Sequence, residues 1–203
     1  MTSERQAVDL SCYPLTPGRW ADFQALFGER GACGGCWCMW WRLARAQFER
    51  GKGEGNREAM RCLVHSGEVP GILAHDGGRA VGWCSIGPRD AFPALDRTRL
   101  LKRVDDRPVW SVVCFFVARP YRRRGVSRAL LSAAVEYARE RGADVVEGYP
   151  VIPKKERLPD AFAYTGLLST FTAVGFREVL RRSDNRPIVR LYLSPVASEA
   201  PSS

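Results

Sequence analysis

Read from its amino end, the chain moves between two hydrophobic rhythms. Leu10 to Leu15 is a short apolar run followed by Pro17, and Trp20, Phe23, Leu26 and Phe27 then recur at three- and four-residue steps. That spacing predicts a strand and then a helix with one buried face. Cys33 to Trp41, with its paired glycines, breaks the pattern before a second helical region that includes Arg57 to His65, with a joint at Gly51, Gly53 and Gly55. Gly71 to His75 and Ala80 to Ile86 flank Asp76-Gly77-Gly78, a turn that suits an antiparallel hairpin. Pro88 to Pro108 is charged and holds three prolines, with Phe92, Leu95, Leu100 and Leu101 marking a short covering helix.

Val109 to Val117 is almost wholly apolar and rich in β-branched and aromatic residues, as a strand buried on both faces should be. After Gly125, Val126, Ala129, Leu130, Ala133, Ala134, Tyr137 and Ala138 trace one helical face, and Gly142 supplies the left-handed cap residue that ends the helix. Ala143 to Val151 reads as the next strand, so strand, helix and strand in this order predict a parallel pair joined by a crossover. A proline-rich linker, Ile152 to Pro159, precedes a predicted helix from Tyr164 to Val174, and strands from Phe176 to Arg181 and Ile188 to Leu193 complete the fold. One domain is expected over residues 1–193, with 194–203 a disordered tail; no internal repeat is present.

Composition narrows the classes. A chain of 203 residues with 45% hydrophobic content can bury one sizeable core. The formal net charge of +9 favours anionic ligands, but the densest runs, Arg122-Arg123-Arg124 and Arg181-Arg182, are short and separated. No basic stripe with interleaved aromatics points to nucleic acid. Seven scattered cysteines and a first segment without an apolar core suit a reducing, cytoplasmic setting. The uncharged stretch Gly31 to Trp41 falls far short of the roughly 20 apolar residues of a membrane-spanning helix.

The chemistry concentrates in VARPYRRRGVSRALL, Val117 to Leu131, where a basic, glycine-containing turn joins the buried strand to the amphipathic helix. Backbone N–H groups in a helix's first turn lack partners within the helix, and the helix dipole adds positive charge there. Gly125 allows close approach, and Arg122, Arg124 and Arg128 can screen a pyrophosphate. No Gly-Lys-Ser/Thr ends the turn and one glycine alone is present, which disfavours a P-loop and a dinucleotide fingerprint.

This segment resembles the acyl-CoA motif of the GNAT (GCN5-related N-acetyltransferase) superfamily: Gln or Arg, two free positions, Gly, one free position, then Gly or Ala. Here Arg122, Gly125 and Ser127 occupy those positions, Ser127 being a small departure, and Ala173-Val174-Gly175-Phe176 resembles the family's closing helix and turn. The resemblance implies an α/β fold: a mixed, mostly antiparallel central sheet with flanking helices and a central splayed parallel strand pair. It further implies acetyl-CoA as co-substrate, its phosphates at Arg122, Arg123, Arg124, Gly125, Val126, Ser127 and Arg128, and its pantetheine along the backbone of Phe115 and Val117. The reaction implied is direct acetyl transfer to an amine of a small molecule. Acylation of a peptide or aminoacyl-tRNA, and an acyl-CoA sensor without turnover, are the alternatives; a homodimer is compatible with each.

Acyl transfer needs a proton acceptor, oxyanion stabilisation and a donor for the leaving thiolate. Where many family members hold the donor tyrosine, this chain has Phe171. Tyr164, Cys114 and water are the substitutes. Glu147, in the strand beside the proposed thioester, is the candidate base, with Asp105 and Asp106 behind it, against the plainer reading of a glutamate paired to an arginine. The stretch CGGCWCMWW holds Cys33 and Cys36 at a metal-ligand spacing that no second pair completes unless Cys62 joins, so no metal is expected. By its place in the family fold this stretch borders the acceptor site, so Trp37, Trp40 and Trp83 are the candidate lining of an aromatic pocket.

Overall fold

The computed structural model describes residues 9–153 and 164–193. The linker from residue 154 onward and the tail 194–203 lie outside the described residues. The polypeptide forms one seven-stranded sheet in the order β1-β2-β3-β4-β5-β7-β6. Its strands are β1 (Leu10–Pro14), β2 (Gly71–Asp76), β3 (Arg79–Pro88), β4 (Trp110–Val117), β5 (Val145–Gly148), β6 (Arg177–Arg181) and β7 (Pro187–Tyr192). The helices are α1 (Trp20–Phe27), α2 (Arg45–Arg50), α3 (Glu54–His65), α4 (Val126–Glu140) and α5 (Leu168–Thr172). All pairings are antiparallel except β4 with β5, the pair predicted from the crossover.

The apolar face of α4 explains its seat. Val126, Leu130, Leu131, Ala134, Val135 and Ala138 are buried against Ile72, Val81, Cys84 and Val112 of the sheet. Burying a leucine such as Leu130 contributes about 1.5–3 kcal/mol. Gly82 sets the distance between helix and sheet: a Cβ there would stand 2.7 Å from Val126 and 3.0 Å from Leu130. On the opposite face Phe23, Phe27, Trp37, Met60, Leu73 and Trp83 form a second core, built from α1, the following loop and α3. Layers on both faces account for the unbroken hydrophobicity of β4.

Two departures shape the centre of the sheet. Register runs Ser85↔Cys114 and then Ile86↔Val112, leaving Val113 as an extra residue in β4. A bulge of this kind bends the strand and re-aims the side chains beyond it, Cys114 first. Pairing of β4 with β5 stops at Val112↔Gly148, although β4 continues to Val117. Past that point the Phe115 N–H donates instead to the Tyr164 carbonyl at 2.5 Å, and Val151 bridges to Leu167.

Three sequence expectations change. The strand predicted to Val151 ends at Gly148. The helix expected from Tyr164 begins at Leu168, because Gly166 takes a φ of 87° and packs where a Cβ would meet the rings of Phe171 and Phe115 at 2.8 and 2.9 Å. The covering helix of Pro88 to Pro108 is replaced by short 3-10 turns, Arg89–Ala91, Pro93–Arg97 and Arg99–Leu101. They bury Phe92, Leu95 and Leu101 against Trp41, Val113, Tyr149 and Ile188, so the covering role holds without the α-helix.

Candidate active site

Gly125 is the N-cap of α4, with a φ of 83° that a side chain would strain, and an added Cβ there would meet nothing within 4 Å. The turn therefore faces open space. Arg123 before it is also left-handed, at φ 61°. The Val126 side chain is buried in the core, so only its backbone can face a ligand, whereas Arg123 and Arg128 are exposed and Arg122 and Arg124 half-buried. No acidic residue stands in the first turn of α4. The Arg122 Nε donates to the Val117 carbonyl at 3.0 Å, tying the motif's first residue back to the end of β4.

A cavity of about 500 Å³ opens beside this turn, lined by Arg122 and Ser127, by Cys114, Phe115, Phe116 and Val117 of β4, and by Tyr164. Its remaining wall comes from Phe27, the loop residues Ala32, Cys33, Cys36, Cys38, Trp40 and Trp41, and Phe48. Arg122 is the one charged residue among these; no Asp, Glu or His lines the cavity among the described residues. The loop is backbone-strained: Ala32, Trp37 and Cys38 have φ of 65°, 43° and 62°. Non-glycine residues hold such conformations where the surroundings over-determine them, and they concentrate at functional sites. Trp40 meets Phe48 edge-on at 5.0 Å, and Trp41 stacks on Tyr164 at 6.3 Å. The Trp41 Nε1–H is buried with no partner among the described residues.

The three tryptophans separate. Trp40 lines the cavity. Trp83 does not, being fully buried on β3 between Phe23 and Phe27, with its Nε1–H donated to the Cys38 sulfur at 3.2 Å. Trp37 is also core, only 2% exposed and enclosed by Trp20, Phe23 and Phe27. Their strand and turn positions aim both indoles at the layer under α1, so the expectation that they face the same pocket as Trp40 is corrected.

Glu147 also lies elsewhere. It is fully buried, and both carboxylate oxygens are engaged: Oε2 accepts from Arg190 Nε at 2.7 Å and Oε1 from the Tyr149 hydroxyl at 2.7 Å. The Tyr149 hydroxyl also accepts from Arg89 at 2.6 Å and meets Ser111 Oγ at 2.9 Å. Arg190 continues to both oxygens of Asp105, and Arg89 to Asp96. Burial, then the Glu147 charge, push the Tyr149 phenol well up; the hydrogen bond with Arg190 holds Asp105 below the usual carboxylate range. This network clamps the 89–105 excursion to β5 and β7 and presents no carboxylate to the cavity. Asp106 does not line the cavity either.

The sequence model of the acetyltransferase (GNAT) family matches residues 37–149, more than half of the chain. The chain belongs to the acetyltransferase (GNAT) family. Solved structures agree on the fold. A GNAT-family acetyltransferase from Listeria monocytogenes superposes with a TM-score of 0.55 at 10% identity, over 94% of this chain and 100% of the other. A chain of the NatC complex bound to Gag peptide and CoA gives 0.53 at 12% identity, over 91% and 99%. The yncA protein of Salmonella typhimurium, solved with its cofactor acetyl-CoA, gives 0.51 at 14% identity, over 95% and 99%. No curated protein matches the sequence significantly.

Within this acetyltransferase fold Phe171 is a packing residue. It is fully buried, its ring lying where a Cβ on Gly148 would stand 2.2 Å away, and it meets Phe115 and Phe176 edge-on. Tyr164 does reach the cavity, and burial raises its phenol pKa. Among the described residues no group of three or more His, Cys, Asp or Glu could hold a metal ion, and no helix is long and apolar enough to cross a membrane. Sequence reasoning missed Trp41, Phe48 and Cys38 as cavity residues. The run CGGCWCMWW marked their neighbourhood, but which side chains turn inward is set by the left-handed residues of the loop.

Proposed function

We propose that this acetyltransferase moves the acetyl group of acetyl-CoA to the nitrogen of a small, flat, apolar amine. The observation that carries the reading is the cavity itself. One continuous space is bounded by the family motif residues Arg122 and Ser127, by the half of β4 that no longer pairs with β5, and by Trp40, Trp41 and Phe48. The first-turn amides of α4, with Arg122, Arg123, Arg124 and Arg128 around them, suit the pyrophosphate, and the space open above Gly125 allows its approach. Pantetheine runs towards Phe115 and Val117, exchanging for the contacts those residues now make with Tyr164 and Arg122. Aromatic walls without a carboxylate favour an uncharged ring over a polyamine, and so does the net charge of +9.

The test is thiol release from acetyl-CoA across a panel of arylamines, alkylamines, polyamines and short peptides. Turnover is expected for arylamines or other flat amines. Turnover confined to peptides would replace the acceptor assignment, and tight CoA binding without turnover on any of them would make the chain a sensor of acyl-CoA.

A further inference from the structure

The rings of the cavity wall leave a choice between two kinds of acceptor. Trp40, Trp41, Phe48 and Tyr164 suit a flat uncharged ring, and they equally suit a cation held against their electron-rich faces, as aromatic cages hold quaternary ammonium groups. What stands beside the rings decides between the two. Arg97 ends the 3-10 turn Pro93–Arg97, and its guanidinium carbon lies 5.6 Å from the centre of the Trp40 ring. The Lys52 ammonium lies 5.8 Å from the centre of the Phe48 ring. Two of the four rings therefore carry a cation of the protein's own, and Arg122 adds positive charge to the wall itself.

The two cations differ in how much charge they present. Lys52 is paired with Glu49. Arg97 is exposed and has no carboxylate partner among the described residues; its Nη2 donates to the Trp40 carbonyl at 3.0 Å. The adjacent Asp96 is drawn away to the buried Arg89 at 2.6 Å. The same turn donates the Ala94 N–H to the Trp41 carbonyl at 3.1 Å, so it grips consecutive carbonyls of the two cavity tryptophans. Arg89 anchors that turn to the Tyr149 hydroxyl and through it to Glu147. The Arg97 charge is thus held against Trp40 by a turn tied to the acceptor loop on one side and to the buried network on the other.

We propose that Arg97 is a specificity-determining residue of the acceptor site: its charge against Trp40 excludes amines that carry a cationic group and leaves the aromatic wall to uncharged rings. This rests on reading the cavity as the acceptor site for flat amines. Arg97 acts in two ways. It draws on the same electron-rich indole that a substrate cation would use, and it repels that cation directly. The first effect is the smaller, since one cation–π contact at an exposed ring changes an affinity about two- to fivefold. The second is a repulsive element of the kind by which sites reject a near-isosteric competitor. Without it, the same four rings would accept the cation.

The experiment measures kcat/KM by thiol release from acetyl-CoA for para-tert-butylaniline and para-trimethylammonioaniline, arylamines of one shape that differ by one charge. Wild type is compared with Arg97→Gln, Arg97→Glu and Arg97→Lys, so the inherent reactivity of each amine cancels when the ratio of neutral to cationic acceptor is followed. That ratio should fall about threefold in Arg97→Gln and about tenfold in Arg97→Glu. Arg97→Lys, which keeps the charge, should hold the wild-type ratio, and acetyl-CoA affinity by calorimetry should be the same in all four proteins. A merely structural role would lower both activities in proportion. An unchanged ratio in Arg97→Gln and Arg97→Glu, or a ratio that falls as far in Arg97→Lys, overturns the role of Arg97 and leaves the acceptor reading standing. Binding of acetyl-CoA by the wild type with turnover of neither arylamine overturns the acceptor reading and this proposal with it.

Discussion

Two regions touch β4, and they are built on opposite terms. The one reached through Ser111 joins Glu147, Tyr149, Arg89, Arg190 and Asp105, and each carboxylate oxygen of Glu147 has a partner. The one at Cys114 borders a cavity that Cys38, Trp40 and Trp41 also line, on a loop with three left-handed non-glycine residues. A carboxylate with both oxygens engaged holds its neighbours in place, whereas a wall of aromatic rings around open space leaves room for a ligand. By this contrast the carboxylate with the most suggestive sequence position is a clamp, and the open cavity lies on the other side, against Cys114 and the loop after α1.

The contrast breaks most visibly at Glu147. Glu147→Ala removes the buried carboxylate that Arg190 and Tyr149 share and should cost about 3–5 kcal/mol in urea unfolding. Thiol release per folded molecule should change little; an intact fold with abolished turnover would instead make Glu147 the base. Trp83→Phe keeps the core ring and removes one donor to Cys38. It should cost about 1 kcal/mol. Because that donor favours the thiolate, its loss should move the midpoint of Cys38 alkylation upward from about 7. An unmoved midpoint would separate Trp83 from the thiol.

The acceptor side should respond more weakly. Trp40→Ala removes a cavity wall and should raise the KM for a flat amine about tenfold, with acetyl-CoA affinity preserved. Equal loss for both ligands would place Trp40 at the cofactor instead. Tyr164→Phe is the smallest change. General acids contribute about 100-fold or more, so a loss of less than about threefold in kcat is expected if the proton comes from Cys114. A loss near the larger figure would return the donor role to Tyr164.

Legibility in the sequence followed the range of the interactions. The hydrophobic period of Val126 to Ala138 and the apolar run of β4 are local properties, and both elements formed as predicted. The basic turn at Gly125 was legible for the same reason, since its φ and its place before a helix depend on near neighbours. The partners of Glu147 were hidden because Arg190 stands 43 positions away and reaches it only through β7. Trp83 was misplaced because strand alternation says that a residue faces one side without saying which layer covers that side. The bulge at Val113 and the positive φ of Cys38 leave no compositional mark, so the presence of Cys38 and Cys114 in one cavity wall could be found only in three dimensions.

The central claim, that acetyl-CoA sits on the α4 turn, is tested most directly by calorimetric titration of acetyl-CoA into wild-type protein and Gly125→Asp. At φ 83° the new side chain is strained and puts a carboxylate in the space open to the anion. Saturable binding by the wild type and none by a folded Gly125→Asp is the result predicted. Equal binding by both proteins, or binding by neither, would contradict the assignment.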